Sequence, residues 1–308
     1  MSLYVDKLAI LAKIEPAYGT DAIPTGVANA LQVSNVTFTP LAGSEENRDL
    51  IKPYMGHQGV TLVGNYRQIE FDVEMGGAGA AGTAPKYGVL LRSSGFGEVI
   101  SAGVEASYSP VSGAFDAASI YYFLDGKKWV MLGCRGKVAL TIEPLKKPRF
   151  KFTLSGLLGT VSDLALPTAD YTGFIEPPVV SKANTTFTLG GLAAPMAGLT
   201  IDGGQQIEPR FLVNYEAIEH VDRKMTGSVV LDQVLQATKD WEGISIAGTK
   251  QTLAVQHGTA AGNIVALSAP KVQIGRITHG DSQRVANNTL PLMFTPNAGN
   301  DELVISVK

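Results

Sequence analysis

From Arg67 to Met75 the sequence reads RQIEFDVEM, and its residues alternate strictly. Ile69, Phe71, Val73 and Met75 fall on one side, and Gln68, Glu70, Asp72 and Glu74 on the other. A period of two over this length predicts a β-strand with one face on a core and one in water. The wet side carries three successive carboxylates. Residues two apart on a strand sit roughly 7 Å from each other, so each repulsion is about 0.6 kcal/mol in water and about four times that at a near-surface dielectric. Such a face must look onto bulk or channel water, and it repels polyanions.

The 308 residues have a formal net charge of −3 and a mean hydropathy of +0.11. With 34 Gly, 16 Pro and few charges, the composition suits strands joined by turns. Length suggests two domains or one large β-domain. The charge balance argues against a general nucleic-acid coat, which would be basic. Cys134 is the single cysteine, which excludes an intrachain disulfide and a multi-cysteine zinc site and reads as a small buried strand residue. No signal peptide is expected, because the apolar run Leu8 to Leu11 is too short for one and no small-residue cleavage pattern closes it, and no membrane span, because no apolar run approaches ~18 residues. The expectation is a soluble protein made in a reducing compartment.

In chain order, residues 1–29 read as an extended N-terminal arm rather than a core element, held open by Pro16 and Pro24. A strand from Leu31 to Phe38 leads into a long polar loop, residues 41–59, with Glu45, Glu46, Arg48, Asp49 and Lys52. Loops of this length usually make contacts of their own. After the opening stretch come the glycine run Gly76 to Gly82 and a helix expected over residues 85–92. Asp125-Gly126 marks a hairpin, and residues 149–154 alternate Phe150 and Phe152 against Lys151 and Thr153.

The second half repeats this order. Residues 199–207 stand for the first strand, and residues 208–220 for the long loop. Residues 223–232 (RKMTGSVVLD) take the place of the opening stretch, with Thr226, Ser228 and Asp232 on its wet side. A helix is expected over 233–241, and a turn from His257-Gly258 to Gly262-Asn263. This argues for a tandem duplication of one β-domain, with copies over 30–176 and 177–308.

Catalytic patterns find little footing. Gly77-Ala78-Gly79-Ala80-Ala81-Gly82 fits G-x-G-x-x-G, but a dinucleotide fold needs a central parallel strand apolar on both faces before it. Glu70, Asp72 and Glu74 contradict that, so the run reads as a flexible Gly/Ala loop. His57, His220, His257 and His279 share no metal-ligand spacing. Three equivalent exposed carboxylates lack the unequal environments a glycosidase pair needs. No enzyme activity, no cofactor and no metal are expected. Lys146-Lys147-Pro148-Arg149 reads as a solvated hairpin tip or a contact to a neighbour's acidic loop.

Three segments carry a resemblance. Residues 14–25 (IEPAYGTDAIPT) with 31–36 (LQVSNV), residues 209–216 (PRFLVNYE) with Asp222-Arg223-Lys224 and Thr226-Gly227-Ser228, and 257–263 (HGTAAGN) with 269–273 (APKVQ) are similar to tail tube proteins of long-tailed bacteriophages. The resemblance implies a mainly β fold: two tandem β-sandwich or barrel domains, each with one flanking helix, whose strands join an inner barrel shared between subunits. It implies stacked rings through which double-stranded DNA passes without specific binding, and a homotrimer where each chain carries two tube domains. A tape measure protein and a tail terminator are the further partners implied; no membrane is. The place is the virion tail, assembled in the host cytoplasm. On this reading Gln68, Glu70, Asp72, Glu74, Thr226, Ser228 and Asp232 line an acidic bore. Contacts between subunits or rings are expected from Tyr18, Glu45, Glu46, Arg48, Asp49, Lys52, Lys146, Lys147, Arg149, Arg210 and Tyr215. The other reading is a β-rich adhesin or decoration module.

Overall fold

The computed structural model describes residues 3–308. Its first half comprises β1 (Leu8–Ile14), α1 (Gly26–Asn29), β2 (Ala30–Leu31), β3 (Ser34–Asn47), β4 (Val60–Glu74), α2 (Gly88–Ser93), β5 (Phe96–Ser101), β6 (Glu105–Pro110), β7 (Ala118–Leu124), β8 (Lys127–Ile142) and β9 (Arg149–Asp163). The second half follows with β10 (Thr185–Leu189), β11 (Met196–Asp202), β12 (Gln205–Leu212), β13 (Tyr215–Arg223), β14 (Thr226–Asp232), α3 (Trp241–Ala247), β15 (Gln251–His257), β16 (Val265–Ile274), β17 (Thr278–Ser282), β18 (Val285–Phe294) and β19 (Val304–Val307). The fold is mainly β.

The alternation of the opening stretch holds residue by residue. Ile69, Phe71 and Val73 are fully buried, while Gln68, Glu70, Asp72 and Glu74 stay partly in water. Arg67 falls on the core side, and its guanidinium donates to the carbonyls of Val130 and Gly159, tying β4 to its neighbours. Phe150, Phe152 and Leu154 of β9 pack behind the same sheet, Phe71 lying 6.2 Å from Phe152. Burying a phenylalanine stabilises by about 1.5–3 kcal/mol, so this inner face alone anchors the register.

All strands except the β12–β13 hairpin belong to one 17-stranded hydrogen-bonded network. β11 pairs with β8, and β19 pairs with β6, so the network crosses the expected boundary near residue 177. A single apolar cluster runs through both halves, from Ile10 and Phe71 to Leu267 and Ile305.

Several local expectations need correction. The arm contains a core strand: β1 pairs along its whole length with β7, and Ile10 and Leu11 are each 1 % exposed. Burial on both faces removes the polar alternation that would have marked it. The polar loop is shorter than expected, because β3 runs to Asn47 and β4 begins at Val60. Residues 208–220 form a hairpin, β12–β13, paired from Gln205–Arg223 to Leu212–Tyr215. The second helix lies further along than expected, at Trp241–Ala247, because Asp240 caps it by accepting the Gly243 N–H and Gly248 ends it at φ 63°. The glycine run is held rather than flexible. Gly77 N–H donates to Asn263 Oδ1 at 2.9 Å and Gly79 N–H to the Gly262 carbonyl at 2.8 Å. A Cβ on Gly77 would collide with the Gly262 carbonyl oxygen, which explains glycine there. No helix among the described residues is long and apolar enough to cross a membrane.

Candidate functional site

Cross-strand pairing brings the two sets of bore candidates onto one face of one sheet. Opposite residues of paired strands share a face. One such row runs Glu74, Arg149, Thr141, Thr200, Ser228. The next runs Asp72, Lys151, Ala139, Asp202, Thr226. Gln68 and Glu70 continue the face along β4, and Asp232 continues it along β14 opposite Asn287. The strand order across it is β3, β4, β9, β8, β11, β14, β18, with β16 and β17 sharing the last place.

Among the described residues neither end of this series meets a further strand. β3 pairs only with β4, and Gln273 and Ile274 of β16 pair only with β18, where Ser245 Oγ of α3 donates to the Ile274 carbonyl at 3.4 Å and the Gly275 carbonyl at 2.6 Å. β17 is exposed throughout and pairs only with β18. Inside the chain, β8 meets β11 through Ala139–Ile142 and Leu199–Asp202.

The face is charged but compensated. Glu70 Oε1 lies 2.7 Å from Lys151 Nζ, Asp72 Oδ2 lies 4.0 Å from Arg149 Nη1, and Glu74 Oε1 lies 3.6 Å from Lys147 Nζ. Lys147 also reaches Glu176 at 2.6 Å, and Asn35 donates to Asp72 at 2.7 Å. The Lys151 hydrogen bond holds the Glu70 carboxyl below its ordinary pKa, and Glu70 in turn raises the Lys151 ammonium. The bare carboxylate row expected from sequence is therefore a ladder of diagonal ion pairs. The cations come from β9, whose alternation places Arg149 and Lys151 on the wet side. That signal was in the sequence, but the partner strand was not.

The residues expected at subunit contacts divide in three. Glu45 and Glu46 lie on the outer stretch of β3, and Arg48, Asp49 and Lys52 in the turn beyond it, all exposed. Apolar side chains accompany them: Ile51 and Met55 are fully exposed, and Leu62 is 46 % exposed. Lys146, Lys147 and Arg149 are engaged within the chain, Lys146 with Glu143 at 2.5 Å. Tyr18, Arg210 and Tyr215 belong to the seat of the β12–β13 hairpin or to the hairpin itself; Arg210 is exposed, and Tyr215 Oη donates to Glu219.

That hairpin folds back over the first half. Ile218 N–H donates to Tyr18 Oη at 2.6 Å. Arg135 donates to the Ile218 carbonyl at 3.0 Å, to Glu219 Oε2 at 2.9 Å and to the Phe115 carbonyl at 3.0 Å, while lying over the Tyr18 ring. Burial pushes the Tyr18 hydroxyl up to about 12. His220 stacks on Phe115 at 4.7 Å and its Nε2 meets the Ser93 carbonyl at 3.2 Å. Sequence reading gives Arg135 no role and weighs His220 only as a metal ligand, because nothing local marks the surface that a distant hairpin will cover.

His220 gives a pH dependence. Burial, reinforced by Arg135, pushes its pKa down to about 4 from 6.5. The folded state thus favours the neutral ring, so its contribution is complete above pH 6.5 and is lost as pH falls towards 4. By pH 5 the loss is roughly 2 kcal/mol. Chemical denaturation at pH 7 and pH 5 should show that decrease for the wild type and a smaller one for His220→Phe; equal decreases would refute the assignment.

A sheet that presents one polar face across both halves, with open strand edges and an exposed apolar hairpin, defines a structural β-protein built to associate. The chain belongs to the phage tail tube protein family, whose sequence profile matches residues 6–296. It is a structural component of the virion tail and not an enzyme, and tail tube proteins polymerise with themselves. No curated protein matches the chain.

Proposed function

We propose that three copies of this chain close into a ring whose inner wall is the shared polar face, and that stacked rings form a hollow tube for double-stranded DNA. The observation that carries this reading is the eight-place strand series with two open edges. The β8–β11 junction inside the chain is the pattern for closing those edges between chains, β16 and β17 of one copy meeting β3 of the next. Three copies then give roughly 24 strands at ~4.8 Å spacing, a barrel roughly 40–50 Å across, wide enough for a duplex. Closure also removes edges that would otherwise invite uncontrolled pairing.

The parallel roles of β4 and β14, of β9 and β18, and of β7–β8 and β15–β16 support two tube domains, over 30–176 and 177–308, each with one helix, α2 or α3. Gln68, Glu70, Asp72, Glu74, Thr226, Ser228 and Asp232 line the bore. Glu45, Glu46, Arg48, Asp49 and Lys52, with the apolar flank of their hairpin, reach a neighbouring copy. A tape measure protein within the tube and a tail terminator at its end follow from the same role. Negative-stain microscopy of the concentrated protein tests the reading: three-lobed rings or hollow tubes are expected, and isolated globules at all concentrations, or rings of six chains, would overturn it.

A further inference from the structure

We propose that Glu70, Asp72 and Glu74 act as tethered counter-ions for Lys151, Arg149 and Lys147, and that without them this strip of the sheet binds duplex DNA. The inference deepens the bore reading given above and rests on it for its biological setting. Its physical basis is the ion-pair ladder alone.

Cations on strand β9 and at its start stand two residues apart, a spacing of roughly 7 Å along the chain. A row of this kind is what captures a phosphate backbone, because each neutralised phosphate releases a small condensed ion. Here the ion that each cation would need to shed is covalently fixed to the neighbouring strand. Lys151 is held by Glu70 at 2.7 Å, and Lys147 by Glu74 at 3.6 Å and Glu176 at 2.6 Å. Arg149 stands 4.0 Å from Asp72, which Asn35 also anchors at 2.7 Å. A phosphate approaching Lys151 displaces Glu70 without releasing it, and leaves that carboxylate unpaired beside the incoming anion. The exchange gains no counter-ion entropy and adds a like-charge contact. Alternating charges this close also cancel within a few ångströms, so the duplex meets a nearly neutral wall rather than a repelling one. The carboxylates keep the wall from holding DNA, and they do so by occupying its cations.

The test uses the full chain at concentrations below assembly, where the face is open, with a labelled duplex of about 30 base pairs. Binding is followed by fluorescence anisotropy between 50 and 200 mM salt. Wild type is expected to show no saturable binding. The triple variant Glu70→Gln, Asp72→Asn, Glu74→Gln should bind, with affinity falling roughly 12-fold across that salt range, as two freed cations require while Lys147 keeps its pair with Glu176. Adding Lys147→Gln, Arg149→Gln and Lys151→Gln to that triple should abolish binding while the two variants keep matching circular dichroism melts, which separates loss of the cations from misfolding. Removing only the three cations should leave the wild-type absence of binding unchanged. A triple variant that binds no better than wild type overturns the proposal, as does binding that survives loss of the cations. The location of Glu70 in density of the assembled tube tests the bore reading separately.

Discussion

A chain in which residues 44–63 are replaced by Asn-Gly is expected to fold normally and to form no tubes. The segment contributes almost nothing to the core: Leu50, Ile51, Tyr54, Met55, Val60, Leu62 and Val63 are all exposed. Its ends are prepared for a short connection. Ser44 pairs with Val63 beside a β-bulge between Ala42 and Ser44, Gly43 and Gly64 flank that pair at positive φ, and a two-residue turn suits strand ends of this kind. What the deletion removes is an apolar and charged hairpin that finds no partner in its own chain. Its counterpart in the second half shows what such a hairpin does when a seat is present: Ala217 and Ile218 of β13 are 1 % and 0 % exposed against the first half. Light scattering should report a single small species with a thermal midpoint within a few degrees of wild type, and microscopy an empty field. Tubes of normal length would show that the hairpin is not an assembly element.

The second large effect concerns stability. Arg135→Met is expected to cost roughly 3 kcal/mol, because it leaves Glu219 and two carbonyls partly buried without their donor. Arg135 and Glu219 side chains are 11 % and 23 % exposed, so solvent recovers little of the loss. Urea unfolding should show a lower midpoint with an unchanged slope, and Glu219→Gln should cost less because the amide oxygen still accepts a hydrogen bond. A loss below about 1 kcal/mol for Arg135→Met would mean that the β12–β13 hairpin is held by its apolar contacts alone.

Sequence reading succeeded where one strand declared its own environment. RQIEFDVEM alternates because one side of β4 is core and the other water, and the Asp125-Gly126 turn sits where β7 and β8 join, with both residues at positive φ. It failed where the environment is supplied from far along the chain. β1 is buried on both faces and shows no alternation. The β12–β13 hairpin is polar enough to pass for a loop, and its burial comes from Tyr18 and Arg135, more than 80 residues away. The charge of the polar face was misjudged for the same reason. Glu70, Asp72 and Glu74 look unopposed along their own strand, and their partners appear only when the register with β9 is known.

The pairing of β19 with β6 governs the order in which the chain can mature. Ile305 lies opposite Tyr108 and Val307 opposite Ala106, while the same strand also pairs with β16. During synthesis the β5–β6 hairpin emerges about 200 residues before its neighbour, a wait of roughly 10–40 s at ordinary elongation rates. Throughout that interval the outer edge of β6 has no strand to bond, and long-range pairings of this kind are intrinsically slow to form. The ribosome therefore releases the strand that completes the sheet late, and a chain still being made cannot yet present its finished surface to another copy.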